Sequence, residues 1–276
     1  MLALSAWPAH ERRALVGIFT DIDDTLTTEG AITPDALQTL ARLKTAGLVV
    51  IPITGRPIGW CQRLAQGDAS AGLAPWPMDA MVAENGAVAF VREGAALSKR
   101  YQQDATTRAA NALRMQQVAQ RVLSEVPGVE ISRDSGGRET DLAFDYHEFA
   151  RLSDQQVQQV VAVLQSEGMQ TSVSSIHIHG CFGNFNKWQG ACWIVRELLQ
   201  RDLTQELERW VFVGDSGNDE AMFAHFRHSV GVANIHRYVD QLRHLPRYVC
   251  PSERGAGFAE VGAAILHARQ PSATPP

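Results

Sequence analysis

The chain is poor in cysteine. Its 276 residues include only Cys61, Cys181, Cys192 and Cys250, which are scattered and form no C-x-x-C pair. That argues against a disulfide framework in a chain of this size, and equally against a structural zinc site; reduced, partly buried thiols are the expectation. Long apolar runs are also missing. The longest, around Leu48 to Ile53, is far too short to cross a bilayer, so no membrane partner is expected. Met1 to Arg13 does not read as a signal peptide, because it has no basic start and Pro8, His10 and Glu11 break its apolar stretch. A cytoplasmic location is therefore expected. Positive charge is in deficit, with a formal net charge of -5, which removes the electrostatic reason to expect a nucleic-acid partner. No internal repeat or low-complexity segment occurs, and nothing specifies an oligomeric state. The Pro-, Ser- and Ala-rich tail beyond His267 is expected to fray.

What is present suits one large α/β domain, or one domain carrying a smaller insert. Ala14 to Thr20 is a short apolar run rich in β-formers that ends in Asp21, Asp23 and Asp24. It reads as a buried parallel strand delivering carboxylates at its C-terminal end. Thr33 offers a helix N-cap, Pro34 suits the first helical position, Leu37, Leu40 and Leu43 follow at helical spacing, and Gly47 closes the helix. Leu48 to Thr54 is a second buried strand, ending at Gly55 and Arg56. The pattern returns late, with a helical stripe over Trp188 to Leu199, a strand over Trp210 to Val213 that runs into Gly214 and Asp215, and further strands over His228 to Val232 and Arg247 to Cys250. The two ends of the chain thus read as halves of one parallel sheet. The middle differs. Strands are predicted over Ala87 to Arg92, Val129 to Arg133, Asp141 to Tyr146 and Thr171 to Cys181, interleaved with one helix over Ala105 to Ser124 and another opened by the Ser153–Gln156 capping box and ending near Gly168. These suggest a separate α+β module inserted between Asn85 and Asn184.

Four short segments carry the chemistry. In Asp21-Ile22-Asp23-Asp24-Thr25, strand alternation puts Asp21 and Asp23 on the same side, and clustered carboxylates repel unless a cation sits between them. Mg²⁺ prefers such a hard oxygen site; alone, the segment reads as well as a solvated acidic turn. In Thr54-Gly55-Arg56, a hydroxyl and a glycine N–H at a strand end can hold phosphate oxygens, although alone the segment reads better as a plain strand-to-loop turn. Lys187, one of only three lysines beside Lys44 and Lys99, precedes a helix. The helix dipole disfavours a cation there, which makes a specific anionic partner the better reading. Gly214-Asp215-Ser216-Gly217-Asn218-Asp219 returns a metal-ligand type to the edge where Asp21 lies, or forms a structural turn.

Taken together, in this order and these strand contexts, the segments resemble the four motifs of the haloacid dehalogenase-like hydrolase superfamily. The GDSGNDEAM stretch and the Asn85-Gly86 pair resemble its Cof-like branch, which includes sucrose, trehalose and mannosylglycerate phosphate phosphatases. The resemblance covers most of the chain. It implies a doubly wound parallel-sheet core over residues 1–86 and 184–276, and a cap over 87–183 that selects the substrate. It implies a Mg²⁺-dependent phosphatase acting on a small phosphate ester, a sugar phosphate by analogy. Asp21 would attack phosphorus, Asp23 would serve as general acid and base, and Thr54 and Lys187 would hold the transferring oxygens with Gly55, Asn85 and Asn218. Mg²⁺ would be held by the Asp21 and Asp215 carboxylates and the Asp23 carbonyl, with Asp219 supporting that shell through water or Lys187. A sugar-phosphate mutase of the phosphomannomutase kind and a phosphometabolite-binding regulator without turnover are the alternatives. Asp24 and Trp188 stand where relatives commonly have glycine, so Asp24 either perturbs the site or points to solvent, and Trp188 either crowds the entrance or packs under its helix.

In the insert, alternation puts His177 and His179 on one strand face, which reads as a solvated sheet face or as a pair reaching substrate hydroxyls. Arg133 and Arg138 flank the Ser135-Gly136-Gly137 turn and offer contacts to a second anionic group, or are solvated. Tyr146 and Trp60 are candidates to stack on a sugar ring, or are core.

Overall fold

A computed structural model describes residues 1–94 and 96–270. In chain order, β1 (Leu2–Ala3) and α1 (Ala9–Arg13) lead to β2 (Gly17–Thr20). A small ribbon, β3 (Thr27–Thr28) and β4 (Ala31–Ile32), precedes α2 (Pro34–Thr45), β5 (Val49–Pro52) and α3 (Ile58–Gln66). Next come β6 (Ala80–Ala83), β7 (Val88–Glu93) and β8 (Ala96–Tyr101). The middle of the chain forms α4 (Ala105–Glu125), β9 (Glu130–Ile131), β10 (Asp141–Asp145), α5 (Asp154–Ser166), β11 (Gln170–Val173) and β12 (His177–Cys181). The chain ends with α6 (Lys187–Leu199), β13 (Trp210–Gly214), α7 (Glu220–His225), β14 (His228–Gly231), β15 (Tyr248–Val249) and α8 (Arg254–Arg269).

The two ends of the chain build one parallel sheet in the order β1-β15-β14-β13-β2-β5. Its central strands β2, β13 and β14 are buried throughout, and alternate residues serve opposite faces as strand geometry requires. Ile18, Val50, Val211 and Val213 enter one core cluster with Leu40, Leu43, Phe258 and Ile265 from α2 and α8. Phe19, Ile51, Trp210 and Phe212 enter the other with Ile194 and Val195 from α6. After β2 the chain winds to β5 on one side, whereas β13 winds through β14 to β15 on the other. The strand order therefore reverses between β2 and β13, and in open α/β sheets the crevice at the carboxyl ends of such strands is where ligands bind.

The middle has its own sheet, β11-β12-β10-β9, and its own core, in which Val118 and Val122 of α4 and Val160 and Leu164 of α5 pack on Phe144 and Ile178. Strand β7, expected to open the insert, pairs instead with β6, and its residues Val88 and Phe90 join one core cluster while Ala89 and Val91 join the other. The strand expected over Thr171 to Cys181 is two strands. Between them the Ser174 hydroxyl accepts the His177 N–H at 3.0 Å and closes a turn. Thr33 occupies the N-cap position of α2 without a side-chain capping bond, while the Ser153–Gln156 capping box of α5 forms as expected. Helix α8 runs to Arg269, and the rest of the tail expected to fray, 271–276, lies outside the described residues. No helix among the described residues is long and apolar enough to cross a membrane.

The two units are stapled by Glu84. It leads a turn in which Glu84, Asn85 and Gly86 all have positive φ, of 50°, 53° and 116°. Its buried carboxylate accepts the N–H groups of Ile58 at 3.0 Å, Glu139 at 3.1 Å and Thr140 at 2.6 Å, and also the Thr140 hydroxyl. Helix α6 lies hard against this turn, for a Cβ on Gly190 would stand 2.4 Å from the Gly86 Cα. Burial, reinforced by nearby Asp141, lifts the Glu84 carboxyl from 4.5 to about 7. An acid with a raised native pKa favours the folded state most below its unfolded value, and that advantage is lost as pH rises through the native value. Thermal unfolding is therefore expected to show stability falling between pH 4.5 and 7, with a shallower fall in Glu84→Gln. Parallel pH profiles for the two proteins would refute the assignment.

Candidate active site

Each motif segment ends a strand at the same crevice. The Asp21 N–H donates to the Val213 carbonyl at 2.9 Å, so the residue after β2 is held against β13. The Ile53 N–H donates to Thr20 O at 2.8 Å and the Thr54 N–H to Val82 O at 2.9 Å, which places Thr54 beside Asp21 and also joins β6 to this edge. Asp215 follows β13 directly, and Lys187 opens α6, whose close seat on the Gly86 turn brings it in from the side.

Lys187 is wholly buried, and its ammonium donates to Asp21 Oδ1 and, at 2.6 Å, to Asp219 Oδ1. Burial works against its charge, but Asp21 and Asp219 outweigh that and raise its pKa. Asp219 is consumed at both oxygens, since Oδ2 accepts the N–H groups of Asp215 at 2.8 Å and Ser216 at 3.1 Å. Among the described residues Asp215 receives only neutral donors, the Thr25 hydroxyl at 3.2 Å and the Asn234 amide at 2.9 Å. The carboxylates of Asp21, Asp215 and Asp219 can each offer an oxygen within 4.8 Å of the others. Three buried carboxylates thus face one ammonium. Burial first, then like charge, pushes Asp21 up to about 8 and Asp215 well above the usual carboxylate range. A hard divalent cation is the chemical group that such an all-oxygen, under-neutralised set accommodates.

Asp23 is turned toward Arg56. The guanidinium forks onto its carboxylate at 2.9 to 3.1 Å and also reaches Asp134 at 3.2 Å and Glu148 at 3.0 Å in the insert. The Thr54 hydroxyl accepts the Arg56 N–H at 3.0 Å. Asn218 donates to Asn85 Oδ1 at 3.1 Å, which leaves the buried Asn85 amide nitrogen without a partner among the described residues. Asp21, Asp23, Thr54, Gly55 and Asn218 line one small pocket roofed by Ser174 to His177 and His179, whereas Lys187, Asp215 and Asp219 are buried beside Asp21 and do not line it.

Both histidines are buried, so β12 does not present a solvated face. His179 Nδ1 lies 3.1 Å from Asp141 Oδ2, and a Cβ on Gly55 would meet its Nε2 at 3.0 Å. Burial, with the Arg138 charge beside it, holds this imidazole neutral by pushing its pKa well below 6.5. His177 Nε2 lies 2.9 Å from Glu148 Oε2. Arg138 is neither solvated nor available to a second anion: it bonds Asp141 at 2.8 Å and the Gly55 carbonyl at 2.9 Å. Arg133 covers the ring of Phe149, and the guanidinium groups of Arg56 and Arg63 both lie over the Trp60 ring. Asp24 has φ 57°, the conformation glycine takes freely, and its carboxylate pairs with Arg254 at 3.1 Å rather than entering the site. Trp188 packs under its helix, stacked on His225 with centroids 4.3 Å apart. In the sequence Glu84, Asp134, Glu148 and Asn234 carry no local signal of these roles, and Thr25 and Arg56 stand out only as members of their motifs.

Removing the Lys187 charge leaves Asp21 and Asp219 buried without a counter-ion. Lys187→Met is expected to lower stability by about 3 kcal/mol in urea unfolding. A loss of less than about 0.5 kcal/mol, the range of ordinary surface changes, would show that the triad does not hold this edge together.

The sequence model for haloacid dehalogenase-like hydrolases matches residues 18–261. No curated protein sequence matches. Among solved structures, a Thermoplasma acidophilum protein is similar with a TM-score of 0.69 at 16% identity, over 91% of this chain and 99% of its own. The sucrose-phosphatase of Synechocystis, solved with sucrose and phosphate, is similar with a TM-score of 0.64 at 19% identity, over 93% of this chain and 98% of its own. The C-terminal domain of trehalose-6-phosphate phosphatase from C. albicans has a TM-score of 0.62 at 13% identity, over 94% and 95%. At such identities the likeness is one of fold, and it agrees with the sequence match: the chain belongs to the haloacid dehalogenase-like hydrolase family.

Proposed function

We propose that this protein is a Mg²⁺-dependent phosphatase of the Cof-like branch that hydrolyses a small phosphomonoester, a sugar phosphate, through a phosphorylated Asp21. One observation carries the reading: Asp21 is fixed by Lys187 at the sheet's switch point, in a pocket whose polar walls include Thr54, Gly55, Asn218 and Asp23. A carboxylate so held is positioned for in-line attack on phosphorus, with its approach set by the protein rather than by chance encounter. Lys187, the Thr54 hydroxyl and the Gly55 backbone would offset the charge on the transferring oxygens, with Asn85 and Asn218 beside them. Asp23 would give a proton to the departing alkoxide and take one from the water that then attacks the acyl phosphate. Its fork to Arg56 supports a fixed orientation for that exchange. Mg²⁺ would be held by the Asp21 and Asp215 carboxylates and the Asp23 carbonyl, where it supplies positive charge to the phosphoryl oxygens. Asp219 would position Lys187 and the Asp215 backbone.

We further propose that the unit from α4 to β12, within the insert expected over 87–183, acts as a cap that selects the substrate, and that the chain works in the cytoplasm, where its four free cysteines stay reduced. Asp21→Asn is expected to abolish phosphate release, and chelation of divalent metal to stop the wild type until Mg²⁺ is restored. Metal-dependent phosphate release by Asp21→Asn at near wild-type rate would overturn the mechanism.

A further inference from the structure

A larger cleft adjoins the small pocket over Asp21, and Ser174 and Asn218 line both. The cleft encloses about 770 Å³ between the insert and the parallel-sheet unit. That is within the range of sites that bury most of a drug-sized ligand. One wall carries Tyr146, Gln158 and Ser172, and the other Asn186, Tyr238 and Gln241. The Tyr146 hydroxyl is fixed by donating to the Ser174 carbonyl at 2.9 Å.

The charge pattern of these walls is one-sided. Among the described residues no lysine, arginine or histidine lines the cleft, and its charged side chains are Asp154 and Glu220. Glu220 accepts the N–H groups of Arg243 and His244, and Asp154 lies in the first turn of α5, where the helix dipole already complements it. The cations beside the small pocket are also engaged: Lys187 serves Asp21 and Asp219, Arg56 serves Asp23, Asp134 and Glu148, and Arg138 serves Asp141 and Asp134. A leaving group with a second anionic group would lose water here and meet carboxylates instead of a counter-ion. An ammonium would meet carboxylates whose charge is already complemented. Amides and hydroxyls both donate and accept, which suits a group bristling with hydroxyls, and phenol rings give a sugar ring an apolar face to rest on.

We infer that this cleft holds the leaving group and selects one that is uncharged and rich in hydroxyls, with Gln158, Tyr238 and Gln241 as specificity-determining side chains. The inference rests on the phosphatase reading above and narrows its substrate. The test compares kcat/KM, with Mg²⁺ present, for three esters on one carbon skeleton: a hexose 6-phosphate, its aldonate 6-phosphate and its 2-amino counterpart, with p-nitrophenyl phosphate as a general ester. The uncharged hexose ester is expected to exceed each charged one by about tenfold, the effect of ~1.4 kcal/mol. In Gln158→Arg the preference over the aldonate ester should fall by at least about fivefold, since the new guanidinium can pair its carboxylate. A charged ester used as well as the neutral one overturns the inference. So does an unchanged preference in Gln158→Arg, or hydrolysis of the aryl ester but none of the three sugar esters. Failure to hydrolyse any of the four esters overturns the phosphatase reading itself, and the inference with it.

Discussion

The ammonium of Lys187, buried between Asp21 and Asp219, is the contact from which the rest of this site follows. Two carboxylates cannot be taken out of water so close together without a counter-charge, and a single amine delivered by α6 provides it. Everything that seats α6 therefore also seats the nucleophile candidate. The left-handed turn at Glu84 to Gly86 lets Gly190 come to backbone contact, and Trp188 anchors the first turn of the helix on His225. Asp219 completes the triad from the opposite side while gathering the N–H groups that shape the Asp215 loop. One ion triad thus ties together the ends of β2 and β13 and the start of α6, elements that lie far apart in the chain.

A second set of charges governs how the insert sits. Arg56 reaches Asp23 with one edge and the insert's Asp134 and Glu148 with the other, so the candidate acid–base group and the roof of the pocket share a cation. Arg138 answers from the insert by bonding the Gly55 carbonyl, and Glu84 collects N–H groups from Glu139 and Thr140. These contacts are polar and buried, so their energy depends strongly on geometry and little on salt. An interface held this way has one well-defined closed arrangement, and separating its partners exposes charge rather than apolar surface.

Much of this was legible in the sequence, for identifiable reasons. Buried parallel strands are unbroken apolar runs, so β2, β5 and β13 announced themselves and put Asp21, Thr54 and Asp215 at one edge. The capping box at Ser153 and the Pro34 helix start are local signals and were equally visible. What escaped was set by distant partners. Arg56, Glu84, Asp134, Glu148 and Asn234 are residue types found mostly at surfaces, and only the folded chain shows them meeting groups that are remote in sequence. The two histidines of β12 were visible as a pair, but the sequence does not show that the face they share is buried against Gly55. The single strand expected over Thr171 to Cys181 missed the turn that Ser174 closes on His177.

The scarcity of lysine has a practical side. Of the three lysines, Lys187 is sealed at the site, while the side chains of Lys44 and Lys99 are each 31% exposed and lie on elements away from it. Reagents directed at side-chain amines, whether dyes, biotin or an activated resin, will therefore attach at those two positions while leaving the pocket unmodified. The protein can be labelled or immobilised through its amines in a few defined orientations, without first removing or protecting any residue.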